Sequence, residues 1–266
     1  MFVLRDAKLR NPWLNLAIDE AITQYYGRSK FPGLVRLWMG APAICLGRTD
    51  DVHKNAPVQL MEDEPTAHKS IWKNRISLMR RASGGGTVLH GPGNWNYSIF
   101  LSLEQFPEVY PVKQSYELFL GMVTRALSDQ VAVRSAGQSD LVVKTAVGTK
   151  KISGNSQFRK HGICAHHGTL LADPGLIESI SNLLPHPPKE PDYRSHRKHS
   201  DFLGSLPSDF SIDRFFGALV TEVSGFTETE ATPLSKTDTK NIFQLAAKLT
   251  QKTYTRRSWI LEGRTD

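Results

Sequence analysis

Cysteine is almost absent from this chain. Its 266 residues hold two, Cys45 and Cys164, each flanked by apolar residues. That excludes a disulfide framework, gives no metal-ligand spacing, and fits buried free thiols in a reducing compartment. No apolar run is long enough to span a bilayer, and no stretch is of biased low complexity, so membrane helices and disordered repeats are set aside. The N-terminus, Met1-Phe2-Val3-Leu4-Arg5-Asp6, has neither the apolar core of a signal peptide nor an acid-poor, Arg/Ser-rich presequence, and a cytoplasmic location is expected. There is no Gly-Lys-Ser/Thr ending of a Walker loop and no spaced glycines of a dinucleotide fingerprint. Any use of ATP must rest on other residues.

What is present is an ordinary globular composition, with 39% hydrophobic residues and a formal charge of +7. The length predicts one domain over residues 1–266, with a proline-rich, basic connecting segment at 185–205 and a helical part at 206–266. The positive balance points to an anionic partner. Its excess gathers in Lys69 to Arg81, Lys150 to Lys160 and Arg194 to Lys198. No helix carries a continuous basic stripe, and the aromatic interleaving of a nucleic-acid binder is missing, so nucleic acid is not the expected partner.

Asn11-Pro12 reads as an N-cap followed by proline at the first helical position, with Leu14, Ala17, Ile18, Ala21, Ile22 and Tyr25 at helical spacing. Leu34 to Met39 and Ala43 to Leu46 read as a β-hairpin about Gly40-Ala41-Pro42. Residues 49 to 76 read as a long surface excursion. Strands are expected at Ile76 to Met79, Thr87 to Leu89, Tyr97 to Leu101, Asp140 to Val147, Lys151 to Phe158 and Ile163 to Leu171. Helices are expected at Tyr116 to Leu127, Pro174 to Leu184, Ile212 to Val223 and Asn241 to Leu249. Between them, Pro185 to Pro191 must be extended.

Three segments carry candidate chemistry. In Arg81-Ala82-Ser83-Gly84-Gly85-Gly86-Thr87-Val88-Leu89-His90, successive glycines expose backbone N–H groups, and an arginine adds fixed charge beside them. The loop suits a phosphate or carboxylate, with Arg81 making bidentate bonds to it; it equally suits a glycine turn beside a solvated arginine. In Lys150-Lys151-Ile152-Ser153-Gly154, Lys151 stands at the start of a short strand closed by Gly154. Its ammonium either neutralises charge developing on oxygen in a dry site or lies exposed at a turn. In His166-His167-Gly168-Thr169, strand alternation sends the two imidazoles to opposite faces, so at most one faces a site, and a satisfied core histidine accounts for either.

Taken in order, Asn11-Pro12-Trp13-Leu14-Asn15-Leu16-Ala17-Ile18-Asp19-Glu20, Gly47-Arg48, Arg81 to His90, Gly93-Asn94, Ser139-Asp140-Leu141, Lys151-Ile152-Ser153-Gly154 and His166-His167-Gly168-Thr169 resemble the lipoate-protein ligase family of the biotin/lipoate ligase and octanoyltransferase superfamily. The resemblance covers most of the chain. It implies an α+β fold, a mixed and largely antiparallel β-sheet flanked by helices, of the class II synthetase-like catalytic-domain type. It implies that lipoate is activated with ATP to lipoyl-AMP, and that the acyl group then passes to a lysine of a lipoyl domain. Arg81, Gly84, Gly85, Gly86, Thr87, Val88, Leu89, Asp140 and Lys151 would bind ATP or lipoyl-AMP, with Lys151 as the catalytic lysine. His90, His167 and Gly154 would support the acyl pocket, and Asp140 would hold the metal. The implied cofactors are ATP and Mg2+, with lipoate as substrate. The implied partners are lipoyl domains of 2-oxoacid dehydrogenase complexes or the glycine cleavage H protein.

The chain departs from the family pattern at three points. His90 is followed by Gly91-Pro92 rather than an aspartate and an apolar residue, and Gly47-Arg48 lacks a following Gln-Asn. Beyond Tyr254 to Ile260, which resembles the end of the catalytic domain, the chain stops at Asp266, so the family's C-terminal accessory domain is expected to be absent. Either a separate accessory subunit assists, or the chain performs both steps, or it transfers from preformed lipoyl-AMP. The alternative chemistry is octanoyl transfer from an acyl carrier protein through a cysteine thioester, for which Cys164 is the candidate nucleophile, since Ser139 fills the position before Asp140. A biotin ligase and a non-catalytic binding protein share the scaffold, and Lys151 argues against the latter.

Overall fold

A computed structural model describes residues 1–27, 29–57 and 76–265 of the chain. In chain order the first strands are β1 (Phe2–Arg10), β2 (Leu34–Gly40), β3 (Ala43–Leu46), β4 (Ser77–Arg80), β5 (Val88–His90) and β6 (Asn94–Ser102). They are followed by β7 (Val133–Ala136), β8 (Asp140–Thr145), β9 (Gly148–Lys160), β10 (Ile163–Leu171) and the short β11 (Thr232–Pro233). The helices are α1 (Pro12–Tyr26), α2 (Val52–Asn55), α3 (Val112–Leu127), α4 (Pro174–Leu183), α5 (His199–Phe202), α6 (Ile212–Thr227) and α7 (Lys236–Leu249).

Eight strands form one sheet in the order β11-β1-β2-β6-β10-β9-β8-β7, and β4-β3-β5 form a second. Pairing in the large sheet is parallel at β11-β1-β2 and antiparallel from β2 onward. The fold is therefore α+β with a largely antiparallel sheet.

Strand alternation divides the large sheet into two apolar faces. Val35, Ile99 and Cys164 point to one face, where Phe119 of α3 and Phe215 of α6 cover them. Leu34, Phe100 and Ala165 point to the other, packed with Ile18 of α1, Ile242 of α7 and the small sheet. Each large apolar side chain so buried contributes about 1.5–3 kcal/mol. Helix α1 starts where its signals place it, with Pro12 in the first turn and Asn11 Oδ1 accepting from the Trp13 and Leu14 amides at 3.1 and 3.3 Å.

Several elements differ from expectation. The run at 34–46 is no hairpin: β2 stays in the large sheet, while β3 crosses to the small one and pairs with β4 and β5. β1 was invisible to hydrophobic alternation because Arg5, Asp6, Lys8 and Arg10 interrupt it. β8 ends at Thr145, and Ala146-Val147 form the turn into β9. α3 begins at Val112 and α7 at Lys236, where Ser235 caps the helix through the Asp238 amide at 3.0 Å. Most of the excursion at 49–76 lies outside the described residues, and its described start holds the single turn α2.

The C-terminal residues clasp the small sheet. Two π-helical turns, Thr250–Tyr254 and Ser258–Glu262, bring Trp259 Nε1 to the Arg80 carbonyl at 2.9 Å. Arg80 in turn donates to the carbonyls of Ile260 and Leu261 at 2.9 and 3.0 Å, and to Gly47 and Asp50 at 2.7 and 2.8 Å. One buried guanidinium thus fixes the chain around Gly47. Among the described residues no helix is long and apolar enough to cross a membrane.

Candidate active site

Where the glycine loop between β4 and β5 approaches β9 and β10, a cavity of about 290 Å³ opens. Arg81, Gly85, Gly86, Thr87, Val88 and His90 line one side. Asp140, Lys151, Gly154 and His167 line another, and Lys189 and Arg194 of the proline-rich segment form part of the wall. Leu16 of α1 and Trp38 of β2 add an apolar part. Gly84 and Leu89 do not line it: the Gly84 carbonyl accepts from Arg81 and Ser156, and Leu89 packs into the core.

The loop's shape is held from beneath. A Cβ on Gly47 would collide with the Gly85 carbonyl oxygen, so only glycine lets the two segments approach this closely. Gly85 itself has a φ of +81°. Asp50, to which the sequence reading assigned no role, accepts from the Gly47 amide at 2.9 Å and from Thr87 Oγ1 at 2.8 Å through one oxygen. Only its position shortly after Gly47-Arg48 hinted at this.

Arg81 turns its guanidinium mainly to the loop itself. Its Nε donates to Ser83 Oγ at 3.0 Å, Nη1 to the Cys45 carbonyl at 3.3 Å, and Nη2 to the Gly84 and Gly86 carbonyls at 2.5 and 2.9 Å. Four of the five N–H donors of a guanidinium are thereby spent on the loop, leaving one on Nη1. The side chain builds the cradle and lends it charge.

A buried chain of polar groups extends that scaffold. Ser83 Oγ lies 2.6 Å from His167 Nε2, and His167 Nδ1 lies 3.6 Å from Asp19 Oδ2. Asp19 pairs with the wholly buried Arg36 at 2.6 Å and accepts from Ser98 at 2.7 Å. Burial alone would raise the Asp19 carboxyl, but Arg36, then His167 and Ser98, hold it below the usual carboxylate range. Ser83 is 1% exposed and lies outside the cavity lining, so the trio positions the loop. Asp19 lay within the N-terminal motif without an assigned role.

Lys151 is the fourth residue of the thirteen-residue β9, near its start, and Gly154, at the midpoint, continues that strand rather than closing it. Its aim comes from an irregularity in the ladder. Asp140 pairs with Gly154 and Leu141 with Ser153, but Val142 pairs with Lys151, leaving Ile152 as an extra residue. The bulge turns Lys151 to the face shared by Asp140 and Gly154. Lys151 Nζ then meets Asp140 Oδ1 at 2.8 Å, while Asp140 Oδ2 accepts from Tyr193 at 2.6 Å. A Cβ on Gly154 would lie 3.1 Å from that ammonium, so the missing side chain keeps room for it. Burial, and then the Asp140 charge, push the Tyr193 hydroxyl well above its ordinary value. It remains a donor.

The remaining candidates divide by environment. His90 is buried, stacks on Trp38 at 5.5 Å, and its pKa is lowered to about 3 by burial and then by Arg81 and His167. It is a neutral wall. His166 and His167 fall on opposite faces, as alternation requires. His166 stacks on Phe119 at 4.7 Å away from the cavity, and burial drives its pKa well below the imidazole range. Cys164 shares that far face, and burial pushes its thiol up to about 11. A thiol so placed is held protonated and lies outside the cavity lining, which argues against it as an acyl-carrying nucleophile.

Comparison with known proteins matches residues 11–224 to the family model of the lipoyl protein ligase A/B catalytic domain. In fold the chain is similar to a bi-partite lipoate protein ligase from Thermoplasma acidophilum, studied with its E2 lipoyl domain. The identity is 20%, with 100% of this chain and 98% of that one covered at a TM-score of 0.75. It is also similar to a protein of the same organism with lipoic acid bound, at 19% identity, 98% coverage of each chain and a TM-score of 0.74. A third similar structure is lipoate-protein ligase A bound with ATP, at 20% identity, 99% and 100% coverage and a TM-score of 0.69.

Proposed function

Because the chain belongs to the lipoyl protein ligase A/B catalytic-domain family, whose enzymes are of lipoate ligase or transferase type, we propose that it activates lipoate with ATP to lipoyl-AMP and passes the lipoyl group to a lysine of a lipoyl domain. The observation that carries this reading is that Lys151, oriented by Asp140, lines the same cavity as the glycine loop.

In the first step a carboxylate oxygen of lipoate attacks the α-phosphorus, and the bond to pyrophosphate breaks. In the second the neutral amine of the acceptor lysine attacks the acyl carbon. The bond to AMP breaks, and the amine gives up a proton. Both transition states gather negative charge on oxygens. Lys151, the free Arg81 N–H and the loop amides supply preorganised positive charge there, stabilisation worth about 3–4 kcal/mol for one well-placed donor. Leu16, Trp38 and the neutral face of His90 suit the apolar acyl chain.

The residues present are compatible with Mg2+, which would neutralise phosphate charge. Asp140 is the only carboxylate among the described lining residues, and both its oxygens already accept from Lys151 and Tyr193. The ion would therefore be held chiefly by the nucleotide phosphates, with Asp140 as one ligand. The acceptor is the lipoyl domain of a 2-oxoacid dehydrogenase complex or a glycine cleavage H protein. Similarity to a bi-partite ligase supports a separate accessory chain that assists adenylation. Without it, this chain would transfer from lipoyl-AMP.

Mass spectrometry of a lipoyl domain incubated with the protein tests the reading. Modification is expected with ATP and lipoate, and Cys164→Ala should retain it. Modification from octanoyl carrier protein without ATP, abolished by Cys164→Ala, would overturn it.

A further inference from the structure

The proline-rich segment from Pro185 to Arg197 has two faces, and only one belongs to the cavity. Pro187, Lys189, Pro191 and Arg194 line the cavity, whereas His186, Glu190 and His196 do not. These three instead converge on each other. His186 Nε2 lies 2.9 Å from Glu190 Oε2, and His196 Nδ1 lies 3.0 Å from Glu190 Oε1. The three donor atoms all fall within 4.8 Å of one another. Between elements held in place elsewhere, two imidazoles ten residues apart thus meet at one carboxylate.

We propose that His186, Glu190 and His196 bind one Zn2+ ion, which clips the ends of this segment together behind the cavity wall. Two imidazole nitrogens and a carboxylate are an established zinc donor set, leaving a fourth tetrahedral position for water. Glu190 Oε2 is buried and accepts no hydrogen bond, although His186 Nε2 approaches it closely. An unprotonated imidazole nitrogen and a carboxylate oxygen are both acceptors, so their approach requires a proton or a cation between them.

The surrounding contacts suit a ligand rather than a simple surface ion pair. The His196 amide donates to Glu190 Oε1 at 2.8 Å, and Arg194 Nε lies 3.2 Å from Oε2. The amide orients the carboxylate in the way that groups outside a metal's own ligands usually do, and the guanidinium stands beside it as a charge. Arg194 is itself held over the Phe202 ring at 4.7 Å and donates to the Arg197 carbonyl at 3.1 Å. His196 is 91% exposed, leaving the site open to a metal from solution. Closing a loop of this kind removes conformational freedom from the segment that presents Lys189 and Arg194 to the cavity.

The site stands apart from the chemistry proposed for the cavity, and its test reads metal binding directly. The protein is titrated with Zn2+ against a chromogenic chelator. His186→Ala, Glu190→Gln and His196→Asn are compared, the last because asparagine tolerates the left-handed φ of +57° at that position. Circular dichroism confirms that each variant is folded. One equivalent should bind, and each substitution should weaken it at least about tenfold, consistent with the loss of one ligand. Absence of stoichiometric binding, or binding unchanged in the three variants, would overturn the proposal.

Discussion

Lowering the pH from about 7.5 to about 4.5 is expected to destabilise the protein through two imidazoles that have no room for a second proton. His90 and His166 are buried, each with its ring stacked on an aromatic neighbour and one nitrogen without a partner. Folding holds His90 at about 3 and His166 well below 6.5, while the unfolded chain titrates near the ordinary value. Because the folded pKa is depressed, the stabilisation is complete above about pH 6.5 and is lost as the unfolded state takes up protons that the folded state refuses. One such group costs about 1.4 kcal/mol per pH unit, so the pair contributes about 2.7 kcal/mol per unit below about pH 5.5, to which His199, also held low by burial, adds. The buried Asp19 carboxyl, also held low, adds its loss only below about pH 4. Urea unfolding at several pH values measures the slope. His166→Phe, which keeps the stacked ring and removes the titration, should lower it by about 1.4 kcal/mol per unit. A flat profile between about pH 6 and 4.5, or a slope unchanged by the substitution, would refute the reasoning.

Two substitutions probe the scaffold. Gly47→Ala drives a methyl into the Gly85 carbonyl and should raise KM for ATP at least about tenfold, while costing about 1–3 kcal/mol of stability, read by nucleotide titration and denaturant melts. Arg36→Leu leaves Asp19 buried without its charge partner, and a loss of about 3–5 kcal/mol in denaturant unfolding is expected.

Local features were legible in the sequence, whereas long-range ones were not. α1 announced itself through Asn11-Pro12 and its apolar spacing, whereas neighbouring residues alone left the glycine loop and Lys151 open between an anion site and a solvated turn, and only the ordered series of motifs singled them out. β1 did not announce itself, because its inward Asp6 is buried against Arg10 and Arg36 at 2.6 and 3.6 Å, and a period of apolar residues cannot see a buried charge. Gly40-Ala41-Pro42 reads as a turn, but only the full topology reveals that it carries the chain into another sheet. Arg194 reaches the cavity wall, and Asp50 and Tyr193 brace Thr87 and Asp140 of its lining, from segments that merely looked irregular. The bulge at Ile152 decides where Lys151 points, and strict alternation misses it. The partners of Arg81 are largely carbonyls of the loop it supports, an arrangement that neighbouring residues alone do not show.

The central claim is that Lys151 stabilises the charge that develops as the acyl group changes hands. Single-turnover transfer from synthetic lipoyl-AMP to a lipoyl domain tests it without requiring adenylation or an accessory chain. Lys151→Ala should slow that transfer by about 100- to 1000-fold, with unfolding still cooperative. A variant transferring within about threefold of the wild-type rate would contradict the account.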